Sequence, residues 1–347
     1  MKEYYSSADF KKSHKYDAHI HYHTFNDLFV RMAKKRNLRL LSINTDFEYI
    51  PIDRQFEISK YIHQRHPQSF DFIGTFDASA FASKTFVEDT IEQIKKCLAA
   101  GARGVKIWKN IGMTLQNEAG HYIMVDDPVF APIFAFLEKE KIPLLAHVGE
   151  PRSCWLPLER ITIDGDRRYY SLNPNFHMYL HPELPSYEQQ IAARDHLLER
   201  YPELIFVGAH LGSMEWNLEE VAKRMDRFPN FYIDISGRFI HILERTLQNR
   251  NQVIDFFQTY QNRIMYGLDC FVFPIYSQNW INLIGNCFPH VVTYLLSKFI
   301  FRIIKKQWLF FATDTAVKMG NKQIEGLKFE KKVVDHIFYE NARLIYF

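Results

Sequence analysis

Short apolar runs, each followed by residues with helical spacing, recur along this chain, and that alternation restricts its fold more than any other feature. The strand-like runs are Tyr16–Tyr22, Leu38–Asn44, Asp71–Phe76, Gly104–Trp108, Pro143–His147, Leu204–Ala209, Phe231–Ile235 and Arg263–Gly267. Between them, apolar residues step by three and four, as in Val87, Ile91, Ile94 and Leu98, in Phe130, Ile133, Phe134 and Leu137, and in Leu218, Val221 and Met225. Each set falls on one face of a helix. Parallel strands need long crossover connections, usually helical, so the alternation predicts a parallel sheet. Eight such units predict an α/β fold closed into a (β/α)8 TIM barrel, with an open doubly wound sheet as the alternative. The 347 residues suit one such domain spanning 1–347.

Apolar residues make up 47% of the chain, enough for a large core. The 43 basic and 40 acidic residues are interspersed, which leaves no basic footprint for a nucleic acid. The opening Met1–Asp17 is polar, without the apolar run of a signal peptide, and Cys97, Cys154, Cys270 and Cys287 form no C-x-x-C pair; a cytoplasmic location is expected. Residues 270–297 contain no Asp, Glu, Lys or Arg, yet Pro274, Gly285 and Pro289 interrupt them. The variable segment 271–304 is therefore read as a loop and helix covering the barrel, with no membrane span. The longest strand–helix connection, 149–185, would emerge at the C-terminal mouth, where barrel enzymes build their sites.

The strongest chemical signal is Tyr16-Asp17-Ala18-His19-Ile20-His21. Alternate side chains of a strand share a face, so His19 and His21 can grip one ion. Asp17, read in the same phase, would orient an imidazole. The bland reading is three polar residues in an ordinary strand. His147 and His210 each close an apolar run, and Asp269 follows the last one. A strand-end histidine either ligates a metal or is a buried imidazole satisfied by backbone. A strand-end aspartate either ligates and takes a proton or caps a helix.

The motifs DAHIH, GVKIW, AHVGEP, GAHLG and YGLD, in this order, resemble the amidohydrolase superfamily, in particular its amidohydrolase-related (amidohydrolase 2) branch of metal-dependent hydrolases; the ending Asn341-Ala342-Arg343 is similar too. The resemblance implies that His19, His21, His147 and Asp269 bind a divalent metal, with zinc expected and one ion preferred over two. It gives Asp269 a second role as general base and makes His210 the substrate-facing acid or base. In binuclear relatives the residues matching His210 and Lys106 hold a second metal, the lysine being carboxylated; otherwise Lys106 would be an ammonium facing a substrate anion or a snorkelling strand-end lysine. Two departures are Leu268, where the branch usually has Thr or Ser, and the segment 271–304, which matches nothing in it.

The expected reaction is hydrolysis of a lactone, ester or amide by water whose pKa a metal lowers from ~15.7 to near ~7. The substrate would be a small molecule, expected to bear a carboxylate recognised by Arg152 and Arg238, with Trp155 and Tyr170 as apolar wall. Decarboxylation on the same site, or metal-free binding on the same fold, are the alternatives. A homodimer is compatible with the family.

Overall fold

The computed structural model describes residues 3–47, 50–272 and 289–347. Its main sheet is built from β1 (Lys15–Tyr22), β2 (Leu38–Ile43), β3 (Phe70–Thr75), β4 (Val105–Ile107), β5 (Leu144–Ala146), β6 (Phe206–Gly208), β7 (Phe231–Asp234), β8 (Ile264–Met265) and β9 (Cys270–Val272). Neighbours run in the order β8-β7-β6-β5-β4-β3-β2-β1-β9, and every pair is parallel. The eight expected runs match β1 to β8 to within a few residues at each end.

The final strand is split. β8 pairs with β7, and β9 pairs with β1 through Ile20 opposite Cys270. The residues between them also bond to β1: Ala18 N donates to Tyr266 O at 2.9 Å and Asp269 N to His19 O at 2.8 Å. The two ends of the sheet therefore meet, and the (β/α)8 barrel is closed. An open doubly wound sheet is excluded.

Two apolar layers follow from the two-residue period of the strands. Leu41, Ile73, Leu145, Val207 and Met265 face the barrel axis, where Ala342 and Tyr346 of the C-terminal helix plug the N-terminal end. Their strand neighbours Leu40, Phe72, Leu144, Phe206 and Ile264 pack outward against the helices. The outer helices include Ile52–Arg65, Phe86–Ala99, Tyr187–Arg200 and Leu218–Arg227. Continued along β4 and β7, the period turns Lys106 and Asp234 inward.

β1 breaks the period. Its register slips between Asp17 and Ile20. Tyr16 and Ala18 lie in the axial cluster, but Ile20 and Tyr22 lie in the outer one. A bulge of this kind re-aims side chains beside a functional site. His19 and His21 face inward, whereas Asp17 is no longer in their phase.

The connection 149–185 is ordered. It contains the helix Asp164–Leu172 and short 3-10 turns around a cluster of Cys154, Ile161, Tyr170 and Met178. Within the segment 271–304, the helix Pro289–Ala312 is present; residues 273–288 lie outside the described residues. Among the described residues, no helix is long and apolar enough to cross a membrane.

Candidate metal centre and active site

At the C-terminal mouth of the barrel, imidazoles from β1 and from the end of β6 gather round one carboxylate. Oδ1 of Asp269 lies 3.4 Å from His21 Nε2 and 3.7 Å from His19 Nε2, and its Oδ2 lies 3.9 Å from His210 Nε2. The His147 ring stands 4.5 Å from that of His210. All four histidines are buried, and Asp269 is partly open to the mouth.

Local backbone geometry sets these side chains. Asp269 has φ of 60°, and His210, Leu211 and Ser213 each have φ of 59°. Non-glycine residues rarely adopt this left-handed region, and holding one there costs of order ~1 kcal/mol or more. Surrounding contacts maintain it: Asp234 Oδ1 accepts from His210 N at 2.8 Å. Leu268 N donates to Asp17 Oδ1 at 3.0 Å, and His19 N donates to the same oxygen at 3.2 Å. Asp17 thus grips the backbone on both sides of the barrel seam instead of an imidazole ring, a consequence of the bulge.

The rings are oriented from β7 by two residues that sequence reasoning did not single out. His19 Nδ1 lies 2.7 Å from Asp234 Oδ2 and 3.1 Å from Ser236 Oγ. His210 Nδ1 lies 2.8 Å from the Ser236 carbonyl and 2.9 Å from Ser236 Oγ. Ser236 Oγ donates to Asp234 Oδ1 at 2.6 Å, which leaves its lone pairs for the imidazoles. With acceptors at each Nδ1, both rings carry their proton there and direct a bare Nε2 at Asp269. The signal for Asp234 and Ser236 was their alternation at the end of the seventh apolar run, the same pattern that marked His19 and His21.

Burial tunes the charges. It lowers the pKa of His21, lowers that of His147 strongly, and lowers that of His210, so these rings are neutral and fit to ligate. Burial alone would raise Asp269, but wherever His210, His21 or His19 carries a proton facing it the carboxyl is drawn well below its ordinary range. Burial likewise opposes the ionisation of Asp234, and His19 reverses that shift. Lys106 is brought down to about 8 by burial, against the pull of Asp234 and Asp269. Its Nζ has no hydrogen-bond partner among the described residues.

Among the described residues, His19, His210 and Asp269 form a group that could hold a metal ion, and of the expected ligands His21 and His147 lie outside that group. Ligand atoms about 2.0–2.1 Å from a tetrahedral zinc stand roughly 3.4 Å apart, and the Asp269–histidine separations of 3.4 to 3.9 Å are close to that. Among the described residues, His147 Nε2 and His21 Nδ1 are buried without hydrogen-bond partners, Glu150 Oε2 lying 3.8 Å from the former; an unsatisfied buried ring nitrogen is costly unless something else engages it. One ligand atom each from His19, His210 and Asp269 lie within 4.8 Å of one another.

The expected substrate contacts are more dispersed. Arg238 lies near the cluster, with Nε buried, 4.0 Å from Glu215 Oε2 and without a hydrogen-bond partner among the described residues. The Arg152 guanidinium stacks on Trp216 at 4.2 Å and lies 3.8 Å from Glu188. Trp155 packs edge-on against Tyr187 at 5.6 Å, while Tyr170 is buried in the apolar cluster of the long connection.

Comparison with known proteins places this geometry among others. A family model described as amidohydrolase matches residues 71–347. The crystal structure of an amidohydrolase II covers 96% of this chain and 99% of its own at 14% identity, with a TM-score of 0.52. That of 2,6-dihydroxybenzoate decarboxylase from Rhizobium covers 96% of this chain and 98% of its own at 15% identity, with a TM-score of 0.54. At such identities the likeness is one of fold. No curated protein matches the sequence.

Proposed function

Because the chain belongs to the amidohydrolase family, we propose that it is a metal-dependent hydrolase of a lactone, ester or amide bond in a small molecule. The observation that carries this reading is the convergence of His19, His21 and His210 on Asp269, with His147 against His210 and the Nδ1 atoms of His19 and His210 tied down behind them. His19, His21, His147 and Asp269 would hold the ion, with zinc expected from the nitrogen and oxygen donors. When bound, it would acidify a water and polarise the substrate carbonyl.

The chain's own groups supply the proton path. Asp269, ionised and partly open to the mouth, accepts the proton of the attacking water. His210 Nε2 lies 3.9 Å from Asp269 Oδ2, so the proton can pass on to it. The lowered pKa of His210 then makes it a ready donor to the leaving oxygen or nitrogen. Lys106, a cation at neutral pH, disfavours a second metal and faces the region where negative charge develops. The buried, unsatisfied Arg238 Nε supports a carboxylate on the substrate.

The test is metal analysis of the purified protein together with assays on lactones, aryl esters and N-acyl amides, beside 2,6-dihydroxybenzoate and related aromatic acids. About one equivalent of metal, and hydrolysis abolished by chelation and restored by zinc, is expected. Carbon dioxide release from the aromatic acids without hydrolysis would reassign the site to decarboxylation. Bound ligand without turnover would reassign it to binding.

A further inference from the structure

The helix Pro289–Ala312 packs on the outside of the barrel, against the helix Leu28–Lys34 and the turn Ser7–Lys11. Phe301 stacks on Phe29 at 4.9 Å, and Trp308 meets Phe10 edge-on at 5.6 Å. With Ile300 and Ile304, these residues bury one side of the helix.

The opposite side is open, and its chemistry changes along its length. Val291, Tyr294, Leu295 and Phe299 are 54%, 42%, 58% and 59% exposed. Lys298, Arg302, Lys305 and Lys306 are exposed too, and steps of three and four place them on the same face, toward the C-terminal end. Exposed apolar side chains scattered singly mean little, but four on one helix face make a patch.

Under the basic half lies a cavity of about 460 Å³. Lys298, Arg302 and Lys305 line it from the helix, and Lys11 and Arg36 line it from the elements packed alongside. Among the described residues, the lining contains neither Asp nor Glu. Asp9, the acid of the adjoining turn, accepts from Ser6 N at 2.9 Å and lines a separate recess. Arg36 is held in place, with its guanidinium 4.4 Å from the centre of the Phe301 ring and Nη1 donating to Met32 O at 2.7 Å. The whole chain carries a net charge of only +3, so five cations around one cavity are a marked segregation. Like charges so placed repel one another until an anion neutralises them.

Cations that seek phosphate, continuous with an apolar patch, match an anionic lipid surface, where headgroup phosphates overlie acyl chains. A nucleic acid would satisfy the cations and leave Leu295 and Phe299 in water. The open face from Val291 to Lys306 is about 22 Å long, so a helix lying along the surface brings both halves into contact with it. We infer that this face docks the protein on an anionic membrane surface, with Leu295 and Phe299 entering the acyl boundary and Lys11, Arg36, Lys298, Arg302 and Lys305 meeting lipid phosphates. The docking is peripheral and does not depend on the reaction at the metal centre.

The test is cosedimentation of the full-length protein with vesicles of phosphatidylcholine alone or of equimolar phosphatidylcholine and phosphatidylglycerol. Binding to the anionic vesicles is expected to be at least about tenfold tighter, and to weaken as salt rises from about 0.1 to about 0.5 M. Lys298→Glu, Arg302→Glu and Lys305→Glu combined should abolish the preference. Leu295→Ser with Phe299→Ser should weaken binding to the anionic vesicles about tenfold or more. All five substitutions are at exposed positions; thermal melting identifies a variant that fails to fold, and the other then carries the test. Failure to bind either vesicle, equal binding to both, or an anionic preference that survives the triple substitution in folded protein would overturn the inference. So would binding to anionic vesicles that is indifferent to Leu295→Ser with Phe299→Ser, or tighter binding to a DNA duplex than to the vesicles. Sedimentation velocity without lipid tests a second copy as the occupant: a dimer dissociated by Leu295→Ser with Phe299→Ser, without vesicle binding, would assign the face to self-association and overturn the inference.

Discussion

Nδ1 of His19 lies 2.7 Å from Oδ2 of Asp234, a contact that joins the first barrel strand to the seventh across 215 residues of chain. It fixes which nitrogen of His19 carries the proton and where the other one points. Asp234 also accepts from the His210 amide and from Ser236 Oγ, so one carboxylate sets the positions of two imidazoles. Groups that orient metal ligands in this way are commonly worth 10- to 100-fold in metal affinity.

Asp234→Asn should therefore weaken metal binding by about 10- to 100-fold while leaving the fold intact. Competition against a chelator of known affinity measures this. Metal affinity equal to that of the unsubstituted protein would show that His19 is oriented by packing alone.

His210 and His21 should separate in their effects. His210→Asn is expected to keep its metal and lose about 10²–10⁴-fold in kcat, the usual contribution of a general acid or base. His21→Ala is expected to lose the metal itself. Metal content and kcat measured on the two variants side by side decide the assignment; loss of metal from His210→Asn would make that residue a ligand.

Gly267 sits where the split last strand passes β1. A Cβ added there would come within 2.8 Å of His19 Cβ and 3.0 Å of Ser236 Cβ. Gly267→Ala should destabilise the protein by about 1–3 kcal/mol, the range for overpacking in a dense interior, and should weaken metal binding by displacing His19. Urea denaturation with and without zinc reads both effects.

Acid should unfold the metal-free protein by a defined route. Burial pushes His23 down to about 3 and lowers His21 and His147 as well, whereas histidine in the unfolded chain titrates near ~6.5. Between roughly pH 3 and 6.5 the unfolded chain thus binds more protons than the folded one, and stability rises with pH across that window. The stability is present above about pH 6.5 and is lost progressively below it. Asp234 and Asp269, held below the ordinary carboxylate range, add a further loss in the same direction at lower pH. The urea midpoint should fall steadily from pH 7 to 5, and His23→Gln should flatten that slope. A midpoint independent of pH in this range would contradict the burial of neutral imidazoles.

Much of this was legible in the chain because it depends on local periods. Two-residue alternation and helical spacing are properties of neighbouring residues, so the eight strand-helix units could be read directly. So could His19 with His21, and the strand-end positions of His147, His210 and Asp269, because a strand end in a barrel is also a place at its mouth. What depends on distant contacts could not be read. The bulge in β1 arises from pairing with β2 and with the residues around Tyr266, and it alone moved Asp17 out of phase with the histidines. The splitting of the last strand arises from closure. Asp234 and Ser236 gained their partners only when β7 was brought beside β6 and opposite β1. Residue order determined which groups could face the axis; the closed sheet decided which of them met, because hydrogen-bond partners remote in sequence are chosen by register and not by spacing along the chain.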